Sequence, residues 1–162
     1  MPEIIVEDGT AASASANSYI TVDEVDTYCD DMGYSAWASL ATTDKQTAIL
    51  RAMVFIESLH FKGEKEDYDN PLEWPRFGTY YDDDEIPKPL KRGVCHAAYE
   101  ESLSPDCLLP TSDDNIKSEK IDVIEVEYFT SRPSDKVFTK ILALLSPIID
   151  SGGDRLASVL RT

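Results

Sequence analysis

The sequence predicts a mainly α-helical fold: a small bundle of about four helices, a small β element at about 116–129, and extended N- and C-terminal arms. Three observations carry this reading. Apolar residues recur at spacings of three and four in four separate stretches. Most of these stretches begin or end on residues suited to a helix terminus. The one long run that alternates with period two is confined to 116–129. Val, Ile, Leu and Phe make up 39 of the 162 residues, about 24 % against the roughly 20 % below which a highly charged chain stays disordered. A core is therefore expected, in one domain with arms.

The elements follow in order. Residues 3–7 (EIIVE) form a short β-prone run, Asp8-Gly9 is a turn signal, and Thr10 to Asn17 has no core period. Residues 1–20 read as a strand or arm with a flexible connection. Thr21 and Glu24 fit a capping box ahead of the stripe Val22, Val25, Tyr28, Cys29, Met32, and Gly33 fits the left-handed helix end. A short apolar turn, Ala36 to Leu40, follows. Thr43 and Gln46 suggest a second box before the stripe Ala48, Ile49, Ala52, Met53, Ile56, Leu59, with His60 at the negative end of the dipole. Residues 61–86 read as a long irregular loop. A third helix starts at Pro87 or Pro89, buries Leu90, Val94, Ala97, Ala98 and Tyr99, and ends before Ser104-Pro105. After the alternating run, Ser134 suits the cap of a last helix with stripe Val137, Phe138, Ile141, Leu142, Leu145, stopping at Pro147. The organisation is thus an arm at 1–20, a helical domain at 21–150 and a tail at 151–162.

Charge narrows the function. Thirty-one acids against 15 Lys and Arg give a net charge of −16. Gripping nucleic-acid phosphates depends on Lys and Arg releasing counterions, so any such surface has to be small and local. Between Gly63 and Glu85 stand Glu64, Glu66, Asp67, Asp69, Glu73, Asp82, Asp83, Asp84 and Glu85 against Lys65 and Arg76. A long loop carrying Trp74 and Phe77 is expected to be pinned to the body, with Trp74 and Arg76 as its anchor. Lys88, Lys91 and Arg92 form a small basic cluster suited to phosphate or inter-subunit contacts, or to ordinary ion pairs.

Catalytic and metal constellations do not emerge. Gly152-Gly153 lacks the Lys-Ser or Lys-Thr of a phosphate loop, and no serine sits in a G-x-S-x-G elbow. The two histidines, His60 and His96, are too few for a multi-histidine site, and Asp82 to Glu85 lacks the spacing of a calcium loop. No enzyme activity, metal or cofactor is expected. Cys29, Cys95 and Cys107 read as free thiols. The N-terminus lacks the basic and apolar regions of a secretory signal, and the longest apolar run, Ile141 to Leu145, is far short of the roughly 18 residues of a span. A soluble protein with no membrane partner is expected.

Several segments in order resemble a known family. They are Val6-Glu7-Asp8-Gly9-Thr10, Ala16-Asn17-Ser18-Tyr19, Trp37-Ala38, Leu72-Glu73-Trp74-Pro75-Arg76 with Gly78, Ile86-Pro87, Leu90-Lys91-Arg92, Lys117-Ser118-Glu119-Lys120 and Ile124-Glu125-Val126-Glu127-Tyr128. The resemblance runs from about residue 4 to 150 and departs from the family pattern in the acidic stretch 79–85. The family, of bacteriophages and prophages, is often labelled DnaT-like single-stranded DNA-binding protein. Its members look like head-tail connector (adaptor, or head-completion) proteins of tailed phages. The resemblance implies a structural virion protein at the neck, made in the host bacterial cytoplasm. It would form a ring of twelve subunits under the portal, bound to a tail or neck protein, with double-stranded DNA passing without specific binding. The alternative is a single-stranded DNA-binding protein, which needs a positive groove with stacking aromatics. The tail carries Leu156, Val159 and Leu160 at i, i+3, i+4, with Arg161, behind a Gly pair. That short apolar face suits docking into a groove on the portal.

Overall fold

The structure is a computed structural model. It describes residues 2–9, 14–108 and 133–150 (side chains from 139 onward in the last segment), together with the backbone of 120–121 and 124–125. The fold is mainly helical, with four long helices and one short one among the described residues: α1 (Val22–Met32), α2 (Ser35–Ala38), α3 (Thr42–Glu57), α4 (Lys88–Leu103) and α5 (Pro133–Leu145). Two small antiparallel pairs accompany them, β1 (Glu64–Lys65) with β2 (Arg76–Phe77), and β3 (Lys120–Ile121) with β4 (Ile124–Glu125). The pair β3–β4 falls within the alternating run at 116–129. The pair β1–β2 lies inside the loop that the sequence reads as irregular.

α1 starts on the box expected for it. Glu24 N donates to Thr21 Oγ1 at 3.1 Å and Thr21 N donates to Glu24 Oε2 at 2.7 Å, so two orphan donors of the first turn are satisfied. Gly33 closes the helix at φ 71°. Val25 and Cys29 face the core, while Met32 is 44 % exposed and leaves the stripe. α2 is one turn that drives Trp37 inward, where its indole N–H donates to Asp26 at 2.6 Å.

The second box does not form. The chain enters α3 one residue early, with extended Ala41 as its cap and no side-chain capping bond. Thr43 therefore already has helical backbone, and its carbonyl accepts from the Thr47 hydroxyl. Ala48, Ile49, Ala52, Met53 and Ile56 are buried, with Phe55 alongside. His60 is exposed and lies beyond the helix end, where its carbonyl accepts from Asp150 N.

α4 is the central helix, packed along α3 and against α1 and α5. Pro87 caps it and Pro89 sits in its first turn, where a missing N–H costs nothing. Its small residues let neighbours approach: a Cβ at Gly93 would stand 2.5 Å from Leu145 Cδ2 of α5. Its end is closed by buried Glu101, which accepts from Asp106 N at 2.7 Å and Leu108 N at 3.0 Å. α5 begins at Pro133, so Ser134 lies inside the helix and is not its cap. Ile141 and Leu145 are buried; the side chains of Val137 and Phe138 lie outside the described residues. The chain then crosses Pro147 and pairs with the segment after α3 through Lys62 N to Ile148 O and Asp150 N to His60 O. Ile148 and Ile149 join the core there.

The N-terminal arm lies against the body. Val6 and Ser18 form a parallel bridge, and Glu7 N donates to Ser18 O at 2.8 Å. Asn17 holds Ile5 N through its side-chain oxygen and Glu3 O through its amide. Glu7 is buried, and its carboxylate accepts from Gly9 N.

Candidate functional site

The acidic loop between α3 and α4 is fixed at its base by a buried polar group. Tyr19, fully buried, donates its hydroxyl to Glu57 Oε1 at 2.6 Å and accepts from Trp74 N at 3.0 Å. Glu57 Oε2 accepts from Glu73 N at 2.8 Å. Burial raises the pKa of both groups, and in Tyr19 the Glu57 carboxylate adds to the rise. Asn70 bridges the loop to the arm: its amide donates to Glu7 Oε2 and Trp74 O, and its oxygen accepts from Leu72 N.

Trp74 and Arg76 stand at the centre of this base. Trp74 is fully buried, edge-on to Phe61 and Tyr81. Its indole N–H has no hydrogen-bond partner among the described residues. The Arg76 guanidinium reaches Lys62 O at 2.9 Å, Gly63 O at 2.7 Å, Phe61 O and Glu73 O, and pairs with Glu73 Oε2 at 2.7 Å. Its planar fork closes the turn from α3 into β1, a geometry a lysine could not match.

From that base the loop displays tyrosines among acids. Tyr80 is 98 % exposed and Tyr68 81 %. Tyr68 stands between exposed Asp67 and Asp69, and Tyr80 precedes exposed Asp82, Asp83 and Asp84. Tyr80 packs edge-on to Tyr81, which packs edge-on to Trp74, so the displayed ring is linked to the core. The arm reaches the same loop. Gly9 has φ +87°, and a Cβ there would stand 2.0 Å from Asp84 O.

A second aromatic group lies where α1, α4 and α5 meet. Tyr34 stacks on Tyr99 with ring centroids 4.1 Å apart and planes at 7°, and Tyr28 lies edge-on to Tyr34. Lys140 of α5 donates to the Tyr34 hydroxyl at 2.6 Å and lies over its ring. Burial pushes the Tyr28 hydroxyl up to about 12, with nearby Arg92 acting in the opposite direction. Beneath the rings His96 is buried, and neither ring nitrogen has a hydrogen-bond partner among the described residues. Its Nε2 lies 3.5 Å from Glu100 Oε1. Burial first, then Lys140, lowers its pKa to about 4, so at neutral pH this contact is not an ion pair.

The basic cluster is not one unit. Lys91 pairs with Glu24 of α1 at 3.0 Å, whereas Lys88 and Arg92 are exposed. Most other described cations stand beside carboxylates: Lys45 by Asp26, Arg51 by Asp106, Lys65 and Arg76 by Glu73. The tail residues Leu156, Val159, Leu160 and Arg161 lie outside the described residues.

Among the described residues no group of three or more His, Cys, Asp or Glu could hold a metal ion. The three cysteines are free, and burial pushes the thiols of Cys29 and Cys95 up to about 12 and that of Cys107 to about 11, away from thiolate reactivity. A shallow groove of about 260 Å³ beside α3 and the end of α4 is lined by Leu40, Arg51, Glu101 and Pro105 among others. No helix of the described residues is long and apolar enough to cross a membrane. Sequence reasoning puts Tyr99 on the buried face of its helix, whereas it is half-buried in the tyrosine stack, and it marks neither Tyr34 nor Lys140, because no local spacing brings Lys140 to Tyr34.

No curated protein and no solved structure matches the chain. A family model does, over residues 2–162: the chain belongs to the family described as "Putative DnaT-like ssDNA binding protein".

Proposed function

We propose that the chain is a non-enzymatic structural protein of a phage virion, a head-to-tail adaptor that forms a homo-oligomeric ring between portal and tail around the DNA channel. One observation weighs most. The chain carries a net −16, and five of its described cations, Lys45, Arg51, Lys65, Arg76 and Lys91, stand beside its own carboxylates. A surface of this kind lets DNA pass without holding it. The pinned, acidic, tyrosine-bearing loop supports the same reading, since rigid aromatics are efficient in protein–protein contact. Its partners on this reading are further copies of itself, the portal, and a tail or neck protein, with Leu156, Val159, Leu160 and Arg161 as the portal-docking face. It needs no cofactor, and its place is the virion, reached from the host cytoplasm.

The family description favours a second reading, a single-stranded DNA-binding protein. The stacked Tyr34–Tyr99 pair with Lys140 and Arg92 is the local feature such a protein would use. Two experiments separate the readings. Negative-stain imaging with purified portal is expected to give a stacked ring; no association with the portal or another neck protein overturns the adaptor reading. Oligothymidine binding that is tight at low salt and collapses as salt rises establishes the second reading instead.

A further inference from the structure

His96 sits half-way along α4, on the side where α5 packs. It is 1 % exposed, and neither ring nitrogen has a hydrogen-bond partner among the described residues. Its ring lies 5.9 Å from that of Tyr34, whose hydroxyl accepts from Lys140 of α5 at 2.6 Å. The C-terminal end of α5 is held separately. Leu145 packs at Gly93, and the chain beyond it pairs through Lys62 N to Ile148 O and Asp150 N to His60 O. Ahead of that pinned end, the described side chains that hold α5 include buried Ile141 and the Lys140–Tyr34 bond beside the unpartnered histidine.

We propose that His96 is an acid-sensitive latch. Uncharged, it lets α5 lie on α4; protonated, it drives the Lys140 part of α5 away from α4 and Tyr34, while α1, α3 and α4 stay packed.

The groups around the ring set the sign. α5 brings Lys140; the side chains of Asp135 and Lys136 lie outside the described residues. On α4, Glu100 Oε1 stands 3.5 Å from Nε2, Arg92 is one turn back, and Cys95 is a thiol that burial pushes up to about 12. α1 and its end bring Tyr28, Cys29 and Tyr34, with Asp30 and Asp31 exposed. α2 has no titratable side chain. On α3, Asp44 is exposed, and Lys45, Arg51 and Glu57 are engaged with Asp26, Asp106 and Tyr19. Burial first, then Lys140, holds the docked imidazole at about 4, and an undocked ring returns toward 6.5. Acid therefore favours undocking. Glu100 has the opposite sign. Burial raises its pKa, so it takes a proton more readily when docked, and its titration alone would tighten α5 in acid. Undocking also bares the Tyr34 face that Lys140 covers.

Hydrogen exchange of the full chain, read by mass spectrometry and corrected for the intrinsic effect of pH, tests this. From about pH 7 to about pH 5, protection of α5 amides is expected to fall by about tenfold or more while that of α3 holds. His96→Leu breaks no buried hydrogen bond and is expected to abolish the fall. Lys140→Met keeps the stem over Tyr34, removes the cation, and is expected to shrink it. Glu100→Gln is expected to leave it in place. An α5 as acid-sensitive in His96→Leu as in the unaltered chain overturns the latch. So does an α5 indifferent to pH, and so does equal loss of protection in α3, which is global unfolding. Disappearance of the fall in Glu100→Gln assigns the titration to Glu100 and also overturns it. Without any variant, ring-proton NMR is expected to show His96 titrating well below 6.5, and titration at or above that value overturns the latch.

Discussion

Arg76 satisfies four backbone carbonyls and one carboxylate with a single side chain. Arg76→Lys keeps the charge and loses the fork, leaving buried carbonyls unpaired. It is expected to cost about 1–3 kcal/mol in urea unfolding and to raise protease sensitivity in 61–86. Trp74→Ala is expected to cost about 3–5 kcal/mol by emptying a fully buried site, with cleavage of the same loop as the second measurement. His96 makes a pH prediction. Its folded pKa of about 4 lies below its ordinary 6.5. The unfolded chain therefore binds the proton first, and the stability His96 contributes is present above about pH 6.5 and lost as pH falls toward about 4. His96→Leu should show a flatter stability profile across that window. Trp74 and Arg76 are conspicuous in the sequence because such residues are costly to leave idle in a loop. Tyr19 and Glu57 are not, since Tyr19 follows a polar run and Glu57 sits in a helix among apolar neighbours; only the tertiary fold makes them a pair.

Among the elements, Gly93 in α4 decides how closely α5 packs. Gly93→Ala places a Cβ against buried Leu145 and is expected to cost about 1–3 kcal/mol, seen as a lower thermal midpoint with α5 amides exchanging faster. The helices were legible wherever an apolar stripe met a core neighbour, as in α1, α3 and α4. Their ends were less so. Thr21 and Thr43 offer the same local chemistry, yet only Thr21 caps a helix, because the chain approaches α3 through extended Ala41 and is helical before Thr43. The pair β1–β2 left no period to read: two residues per strand are too few, and Arg76 and Glu73 hold the turn by side-chain bonds. Ile148 and Ile149 lie past the proline that ends the helical pattern, so their burial comes from pairing with 60–62.

For the whole molecule, carboxylates stand beside Lys45, Arg51, Lys65, Arg76 and Lys91, and nearly half of the −16 lies on one fixed loop, where nine acids face two bases between Gly63 and Glu85. Oligothymidine is expected to bind weakly at physiological salt, and a fluorescence-anisotropy titration across salt concentrations measures it. The acidic total and the helical class can be read from composition and periodicity. The meeting of Tyr34, Tyr99 and Lys140 cannot, since it joins three elements far apart in the chain.

The bonds at the base of the loop also order events in time. Tyr19 reaches Glu57 across 38 positions and Trp74 across 55, and Asn70 reaches Glu7 across 63. Closures of that span come late, after local helices have formed and docked. The loop is therefore expected to settle last in folding and open first under native conditions, with its amides exchanging by sub-global opening while those of α3 and α4 wait for global unfolding.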